Sequence, residues 1–512
     1  MKALLMHRAR DFDLQQELPN NEDILRKDLE LETLFSAMAG EDELLLDVVR
    51  KAVLTGFDND MDTIVYRQAI LTDCLNNPRV VRELYELAVE AIESRKRHWL
   101  GVFGNHPGAT LGNAVSALQM FMGLLKKLRD IIRQNEKRFD SDGFRALSVT
   151  VQEELNDEYL ESVRAYLAEL KFGAGVLISV ELGSGNEGTH YVLRKPWKKR
   201  KDWLKRMLGR GEPVYTFRIH PRDEAGGRAL YELRNRGINL VANALAQSSD
   251  HVLGFFQAMR VELGFYVGCL NLHDRLGSMG VPVCFPRPAL MGERRLEFID
   301  LRDVCLALDM GRKVVGNSVS ANGKSIVIIT GANRGGKSSF LRGVGVAQLM
   351  MQCGMFVAAE SFAAALSPGL FTHYKREEDL AMKSGKFDEE LARVSDIADR
   401  IEPNSLLLLN ESFAATNERE GSEIARQIVC ALLERRMKVF YVTHLYEFAH
   451  GFFDKAMEGA MFLRAERRDD GVRTFKLIEG EPLETSYGED LYEKVFGRFP
   501  FHERTDTEGG GR

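Results

Sequence analysis

One stretch of this sequence admits few folds: an apolar strand runs into a glycine-rich turn, and the turn opens a helix. Ser325–Thr330 reads Ser-Ile-Val-Ile-Ile-Thr, Gly331–Ser339 reads Gly-Ala-Asn-Arg-Gly-Gly-Lys-Ser-Ser, and the run from Phe340 to about Met351 is apolar at helical spacing. The spacing Gly331-x-x-x-x-Gly336-Lys337-Ser338 is that of a phosphate-binding P-loop. Glycines let such a turn wrap closely and aim its N–H groups at phosphate oxygens, and the helix N-terminus adds partial positive charge. The expected nucleotide-binding residues are therefore Gly331, Ala332, Asn333, Arg334, Gly335, Gly336, Lys337, Ser338 and Ser339. Lys337 is expected to reach the β- and γ-phosphates of ATP, and the Ser338 hydroxyl to ligate Mg²⁺. A chance glycine-rich turn in an ordinary strand–helix unit is the competing explanation.

A phosphate-binding turn names no reaction without partners on neighbouring strands. Ser405–Leu409 is a short apolar run that ends in Asn410-Glu411. An acidic pair is expected there, one residue holding the Mg²⁺ shell and the next polarising the attacking water. Glu411 suits the second task. Asn410 departs from the pattern: its amide carbonyl accepts from a metal-bound water but brings no negative charge, so weaker Mg²⁺ binding or slower turnover is expected. A third strand, Met437–Val442, ends at Thr443-His444. A histidine at the C-terminal edge of a sheet, in the same crevice, is placed to sense a γ-phosphate by hydrogen bonding. The expected catalytic residues are thus Glu411, Lys337 and His444, with Ser338 and Asn410 on the metal through water; a helix cap for Glu411 and a structural role for His444 compete. Upstream, Ser384, Gly385 and Lys386 sit in a polar, glycine-containing segment that reads as a loop reaching a nucleotide held by a second copy of the chain.

The rest of the 512-residue chain reads as helices with one interruption. Asp28–Ala39, Glu43–Leu54, Asp62–Cys74, Pro78–Arg95 and the stretch 112–137 each carry apolar residues at three- and four-residue spacing. After Phe172, Val176–Leu182, His190–Leu193 and Val214–Ile219 read as strands, and between them lies a basic segment with interleaved tryptophans. Arg194 to Arg210 holds nine basic residues against one acid, Asp202. Most such runs are solvated loops, but tryptophans suit phosphate contact with base stacking. Arg194, Lys195, Trp197, Lys198, Lys199, Arg200 and Lys201 are the candidate DNA contacts. A long helix returns from Gly237 to about Leu272, with Val241, Leu245, Ser248, Val252, Phe255, Met259 and Leu263 in a coiled-coil-like seam. The net charge of −6 gives no global basicity, so any DNA-binding surface is local. Six scattered cysteines without a C-x-x-C pair argue for free thiols in a reducing compartment. No signal peptide and no membrane-spanning run are read, and a cytoplasmic location is expected.

In order and spacing these pieces resemble the ATPase domain of the MutS family of DNA mismatch-repair proteins. Where that family carries T-G-P-N-M-G-G-K-S-T, this chain has Thr330-Gly-Ala-Asn-Arg-Gly-Gly-Lys-Ser-Ser339. The family's D-E-x-x-x-G-T-S-T-x-x-G looks like Asn410–Gly421, its A-T-H is similar to Val442-Thr-His444, and its S-Y-G to Ser486-Tyr-Gly488. Its signature loop S-T-F-x-x-E aligns with Gly385-Lys386-Phe387-Asp-Glu-Glu390. Tyr66–Asp73 is similar to the opening of its helical core, and the helical arms with a tip insertion look like its lever and clamp. Three departures stand out: the mismatch-reading domain has no room before the helical core, the tail after Gly497 is short, and the aromatic that stacks on adenine in the family maps onto Val314.

The resemblance implies a mixed fold: an all-α core and lever region with a small β-rich clamp-like insertion, followed by an α/β P-loop ATPase domain of the ABC type. The expected boundaries are 1–172 for the helical core and first arm, 173–222 for the clamp-like insertion, 223–280 for the returning helix, 281–293 for a linker, 294–496 for the ATPase domain and 497–512 for a flexible tail. A homodimer with composite ATP sites is implied, acting on DNA and with other repair proteins as further partners. A nucleotide-gated scaffold with little hydrolysis, or an ATPase acting on a protein partner, is the alternative.

Overall fold

The computed structural model describes residues 1–99, 106–173, 175–195, 215–376, 385–468 and 473–482. Trp197, Lys198, Lys199, Arg200 and Lys201 of the basic segment, Ser384 of the candidate trans loop and Ser486–Gly488 lie outside them. The chain divides into two compact units, the first built mainly from Asn77–Leu263, the second from Phe12–Asn76 and the residues from Gly264 onward.

Four helices open the chain: α1 (Glu22–Asp28), α2 (Leu31–Ala39), α3 (Glu43–Leu54) and α4 (Met61–Asn76). The helix expected over Asp28–Ala39 begins only at Leu31, because Glu30 turns left-handed at φ 53° and separates it from α1, whose last residue is Asp28. Asp42 caps α3, accepting from the N–H groups of Leu44 at 2.9 Å and Leu45 at 3.1 Å. These helices belong with the second unit rather than with the helical block expected to run to residue 172.

In the first unit α5 (Pro78–Trp99), α6 (Pro107–Asn135), α7 (Asp142–Glu154) and α8 (Asp157–Glu169) follow one another. The segment Pro107–Arg138 is long and apolar enough to cross a membrane by length and composition, which the sequence reading did not find, yet half of its apolar window is buried within the protein. Leu118, Phe121, Leu125 and Leu128 form the buried stripe of α6, which packs on α5, α7 and α8. The insertion forms an antiparallel hairpin of β1 (Leu177–Leu182) and β2 (Gly188–Arg194), with a bulge between Ser179 and Glu181. The strand expected over Val214–Ile219 is not formed: residues 215–219 have no regular structure and Tyr215 is 89% exposed, so no ladder holds them. The returning helix α9 runs from Glu224 to Ser278, longer at both ends than its apolar seam. That seam is shifted in its first half, where Ile238, Ala242, Ser249 and Phe256 are buried and Ser248 is exposed.

The second unit holds two sheets. β3 (Arg287–Ala289), β4 (Leu296–Leu301), β5 (Asn317–Ser320) and β7 (Ser361–Ala365) form one, in the order β3-β7-β4-β5. The expected linker 281–293 is thus partly sheet: Arg287–Ala289 pairs in parallel with Ala363–Ala365, and Cys284 bridges Val357. β6 (Ile326–Thr330), β8 (Leu370–Tyr374), β9 (Leu406–Asn410), β10 (Lys438–Val442), β11 (Ala460–Arg467) and β12 (Arg473–Glu479) form the other, in the order β12-β11-β6-β10-β9-β8. Its pairings are parallel except β11 with β12. The run β6 is buried at every residue, as a strand covered on both faces must be. Around the sheets lie α10 (Val304–Met310), α11 (Lys337–Gln352), α12 (Lys386–Arg400), α13 (Glu418–Glu434) and α14 (Tyr446–Asp454).

The N-terminal helices are held to this unit by charge as well as by apolar packing. Arg342 on α11 donates through Nε to Asp303 at 2.7 Å and pairs with the Glu30 carboxylate at the α1–α2 break. Asp303 in turn caps α10 by accepting from the Leu306 N–H at 3.1 Å. Burial pushes the Asp303 carboxyl up, and the guanidinium beside it works the other way. Removing one partner of a buried pair costs about 3 kcal/mol or more, since the other charge stays buried. Arg342→Met is therefore expected to lower the unfolding free energy from urea titration by that order, and Asp303→Asn by less, because Arg342 keeps Glu30.

Candidate functional site

The parallel register sets the C-terminal ends of β6, β10 and β9 side by side: Val442 lies opposite both Ile329 and Asn410. The glycine-rich turn, Asn410-Glu411 and Thr443-His444 consequently meet at one sheet edge. Gly331 at φ 108° and Gly336 at φ 90° hold the turn in conformations that a side chain resists. Arg334 is also left-handed, at φ 58°, and with Asn333 it stands exposed, while Ala332 and Gly335 are buried.

Lys337 is the first residue of α11 and is 5% exposed. Its ammonium donates to the carbonyls of Gly331 at 2.8 Å and Ala332 at 2.9 Å, folded back over the turn it follows. Burial pushes Lys337 down to about 8, Glu411 opposing that shift and Arg473 adding to it. Ser338 is exposed, and its hydroxyl donates to Asn410 Oδ1 at 3.1 Å. Two oxygens are thereby brought together at the lip of the turn.

Glu411 and His444, given separate tasks from the sequence, are hydrogen-bonded to each other: His444 Nε2 donates to Glu411 Oε1 at 3.1 Å. That bond holds the Glu411 carboxyl below the usual range, with Lys375 at 3.8 Å helping. Glu411 has φ 53°, a strained value that the surroundings must impose. The Glu411 side chain is 31% exposed and open to the edge. In the trans segment, Gly385 is the exposed residue that precedes α12 and Lys386 is the first residue of that helix. Arg194 ends β2 and donates to Ser179 Oγ at 2.9 Å, and Lys195 pairs with Glu169 at 3.1 Å.

Beside the turn lies a pocket of about 370 Å³. Gly336, Ser339 and Phe340 line it on one side, and Val314, Val315 and Phe475 on another. Phe475 was missed from the sequence, as were Arg473 and Lys375. Asn317 clasps the backbone around Phe475: its amide nitrogen donates to the Phe475 carbonyl at 3.3 Å, and its oxygen accepts from the Leu477 N–H at 2.7 Å. Phe475 itself is left-handed at φ 59°. An aromatic, preorganised, half-exposed face therefore stands near Val314, where the sequence offered no ring. The alternating pattern of Arg473–Glu479 carried the only available signal.

Comparison with known proteins gives two domain matches. The MutS2 N-terminal domain matches residues 59–279, and MutS domain V matches residues 327–496. The DNA mismatch repair protein MutS of Leptospira interrogans (serogroup Icterohaemorrhagiae serovar Lai) is 25% identical over 303 residues, 56% of this chain and 34% of that protein. MutS protein homolog 4 of Mus musculus is 28% identical over 247 residues, 44% of this chain and 25% of that protein. The chain thus spans about a quarter to a third of the length of these relatives. Both domain models come from one family and together they take in most of the sequence; the chain belongs to the MutS family.

Proposed function

We propose that this protein is a DNA-binding ATPase related to mismatch repair, which couples nucleotide turnover to its hold on DNA. One observation carries the reading: Lys337, the Ser338–Asn410 oxygen pair and the Glu411–His444 pair stand together at the carboxyl edge of a parallel sheet. The glycine-rich turn then acts as a P-loop of an ABC-type ATPase domain. Lys337 would exchange its carbonyl partners for β- and γ-phosphate oxygens, and the pocket with Phe475 is of a size and character for a nucleobase. The donor set of Ser338 and Asn410 is all oxygen and fits Mg²⁺ held largely through water; bound there, the ion would neutralise phosphate charge. Glu411, ionised at neutral pH, orients and polarises the attacking water, and His444 steadies that carboxylate and senses the γ-phosphate.

Gly385 and Lys386, with Ser384, would reach the nucleotide of a second copy, giving a homodimer with two composite sites. The basic segment from Arg194 to Lys201 would meet DNA phosphates, with branched or recombination intermediates as the substrate class and other repair proteins as partners. Six unpaired cysteines, four of them buried, suit a cytoplasmic protein. Asn410 favours a second reading, a nucleotide-gated switch with slow hydrolysis, since the metal shell gains no charge from it.

The deciding measurement is ATP turnover with and without duplex, mismatched and four-way-junction DNA. Glu411→Gln is expected to lower turnover by about 100-fold, and Asn410→Asp to raise it. Tight ATP binding with turnover indifferent to Glu411 would leave only the switch. Phosphate favours the charged form of Lys337, so its bound pKa exceeds the free value of about 8. ATP affinity is accordingly expected to be full below pH 8 and to fall as the pH rises above it, and Lys337→Met is expected to remove that slope. Neutralising Arg194 and Lys198–Lys201 together is expected to weaken DNA retention and flatten its salt dependence; an unchanged salt slope would move the DNA surface elsewhere.

A further inference from the structure

We propose that His373 is a positioning residue for Glu411, tying the turn that aims this carboxylate to the helix α12 that follows Gly385. The inference rests on the reading of Glu411 as the group that activates water. His373 lies on β8, one strand away from Glu411's own, and has no exposed surface. Its Nδ1 is 2.6 Å from the hydroxyl of Ser412, the residue after Glu411, and its Nε2 is 3.2 Å from the backbone carbonyl of Glu390 in the first turns of α12. The imidazole also lies over the Phe413 ring, with centroids 5.9 Å apart and planes within 16°.

The two contacts fix the tautomer. A carbonyl oxygen only accepts, so Nε2 carries the proton toward Glu390, and Nδ1 shares the single Ser412 hydroxyl proton with the backbone carbonyl of His373, 2.9 Å from the same oxygen. Burial pushes His373 down to about 3, so the ring stays neutral, with one donor and one acceptor, and both are used. On the other side of the same residue, the Tyr441 hydroxyl donates to the Ser412 carbonyl at 2.6 Å. Ser412 is therefore gripped through side chain and backbone at once.

The grip has a task. Glu411 and Phe413, on either side of Ser412, are both left-handed, at φ 53° and φ 63°. Non-glycine residues hold such values only where neighbours over-determine them. His373 supplies that determination on one face and reads the position of α12 on the other. A shift of α12, whose leading residues would touch the second copy's nucleotide, thus reaches Glu411 through two hydrogen bonds. Arg393, which donates from α12 to the Tyr374 carbonyl at 3.1 Å, keeps the same helix against the same strand.

The test uses the full-length protein carrying Ser412→Ala, His373→Leu, and both. Ser412→Ala removes one oxygen and keeps the buried shape, so it covers the case in which His373→Leu does not fold. Each single change is expected to lower kcat about tenfold while the affinity for ATP stays within twofold of wild type. The double variant is expected to equal Ser412→Ala, because that change already removes the hydroxyl's contacts to both the ring and the backbone carbonyl of residue 373. Amide hydrogen exchange is expected to rise at residues 411–413 and to stay unchanged in β6 and α11. Turnover and exchange at wild-type values in Ser412→Ala would overturn the proposal, as would a fall in kcat that only follows lost ATP binding. If the wild type shows no Glu411-dependent turnover but exchange at 411–413 rises in the variants, the hydrolysis reading fails and the tie stands.

Discussion

Parallel strand pairing is the constraint from which the candidate site follows. Because β6, β9 and β10 run in one direction and in register, their carboxyl ends fall on one line, and whatever follows each strand meets the others there. No side-chain contact is needed to bring Gly331, Asn410 and His444 together; the backbone ladder does so. The helices that return the chain from one strand to the next need only cover the faces, and their buried residues do that: Val429, Leu432 and Phe448 share one core with Ile326, Leu407 and Tyr441. The chemistry of the edge is thereby separated from the packing that supports it.

At the edge, desolvation and pairing act in opposite senses on neighbouring groups. Burial lowers Lys337, which has only carbonyl dipoles for partners, while His444 and Lys375 hold Glu411 in its charged form. A cation short of anionic partners stands near a carboxylate that already has a hydrogen-bond donor in His444 and a cation in Lys375. An anion arriving at the turn would satisfy the first without needing the second.

Much of this was legible in the sequence because it rests on short-range patterns. The apolar runs at 326–330, 405–409 and 437–442, the glycine spacing and the residues that end each strand are local signals, and the strands form where those signals lie. What was not legible depends on distant partners. Glu30 breaks a helix that its neighbours favour, and its partner Arg342 is far along the chain. The strand Arg287–Ala289 hides in a proline-containing stretch because its ladder is supplied by Ala363–Ala365. Phe475 enters the pocket from a hairpin at an edge of the sheet, and no spacing relates it to the turn it faces. Conversely, Val214–Ile219 has a strand's alternation but its described residues pair with nothing in a ladder, which shows that alternation alone makes no strand.

The clasp of Asn317 on β12 has a consequence beyond the pocket. Among the described residues β12 ends the order of its sheet, so the side of its backbone turned away from β11 meets no further strand there, the kind of edge on which strands from other molecules add. By taking the Phe475 carbonyl and the Leu477 N–H, the Asn317 amide occupies two consecutive rungs of that edge. One side chain thus both fixes the backbone that carries an aromatic ring and fills two rungs at which a further strand would otherwise pair. The shape of the pocket and the pairing of this edge are therefore coupled through residue 317.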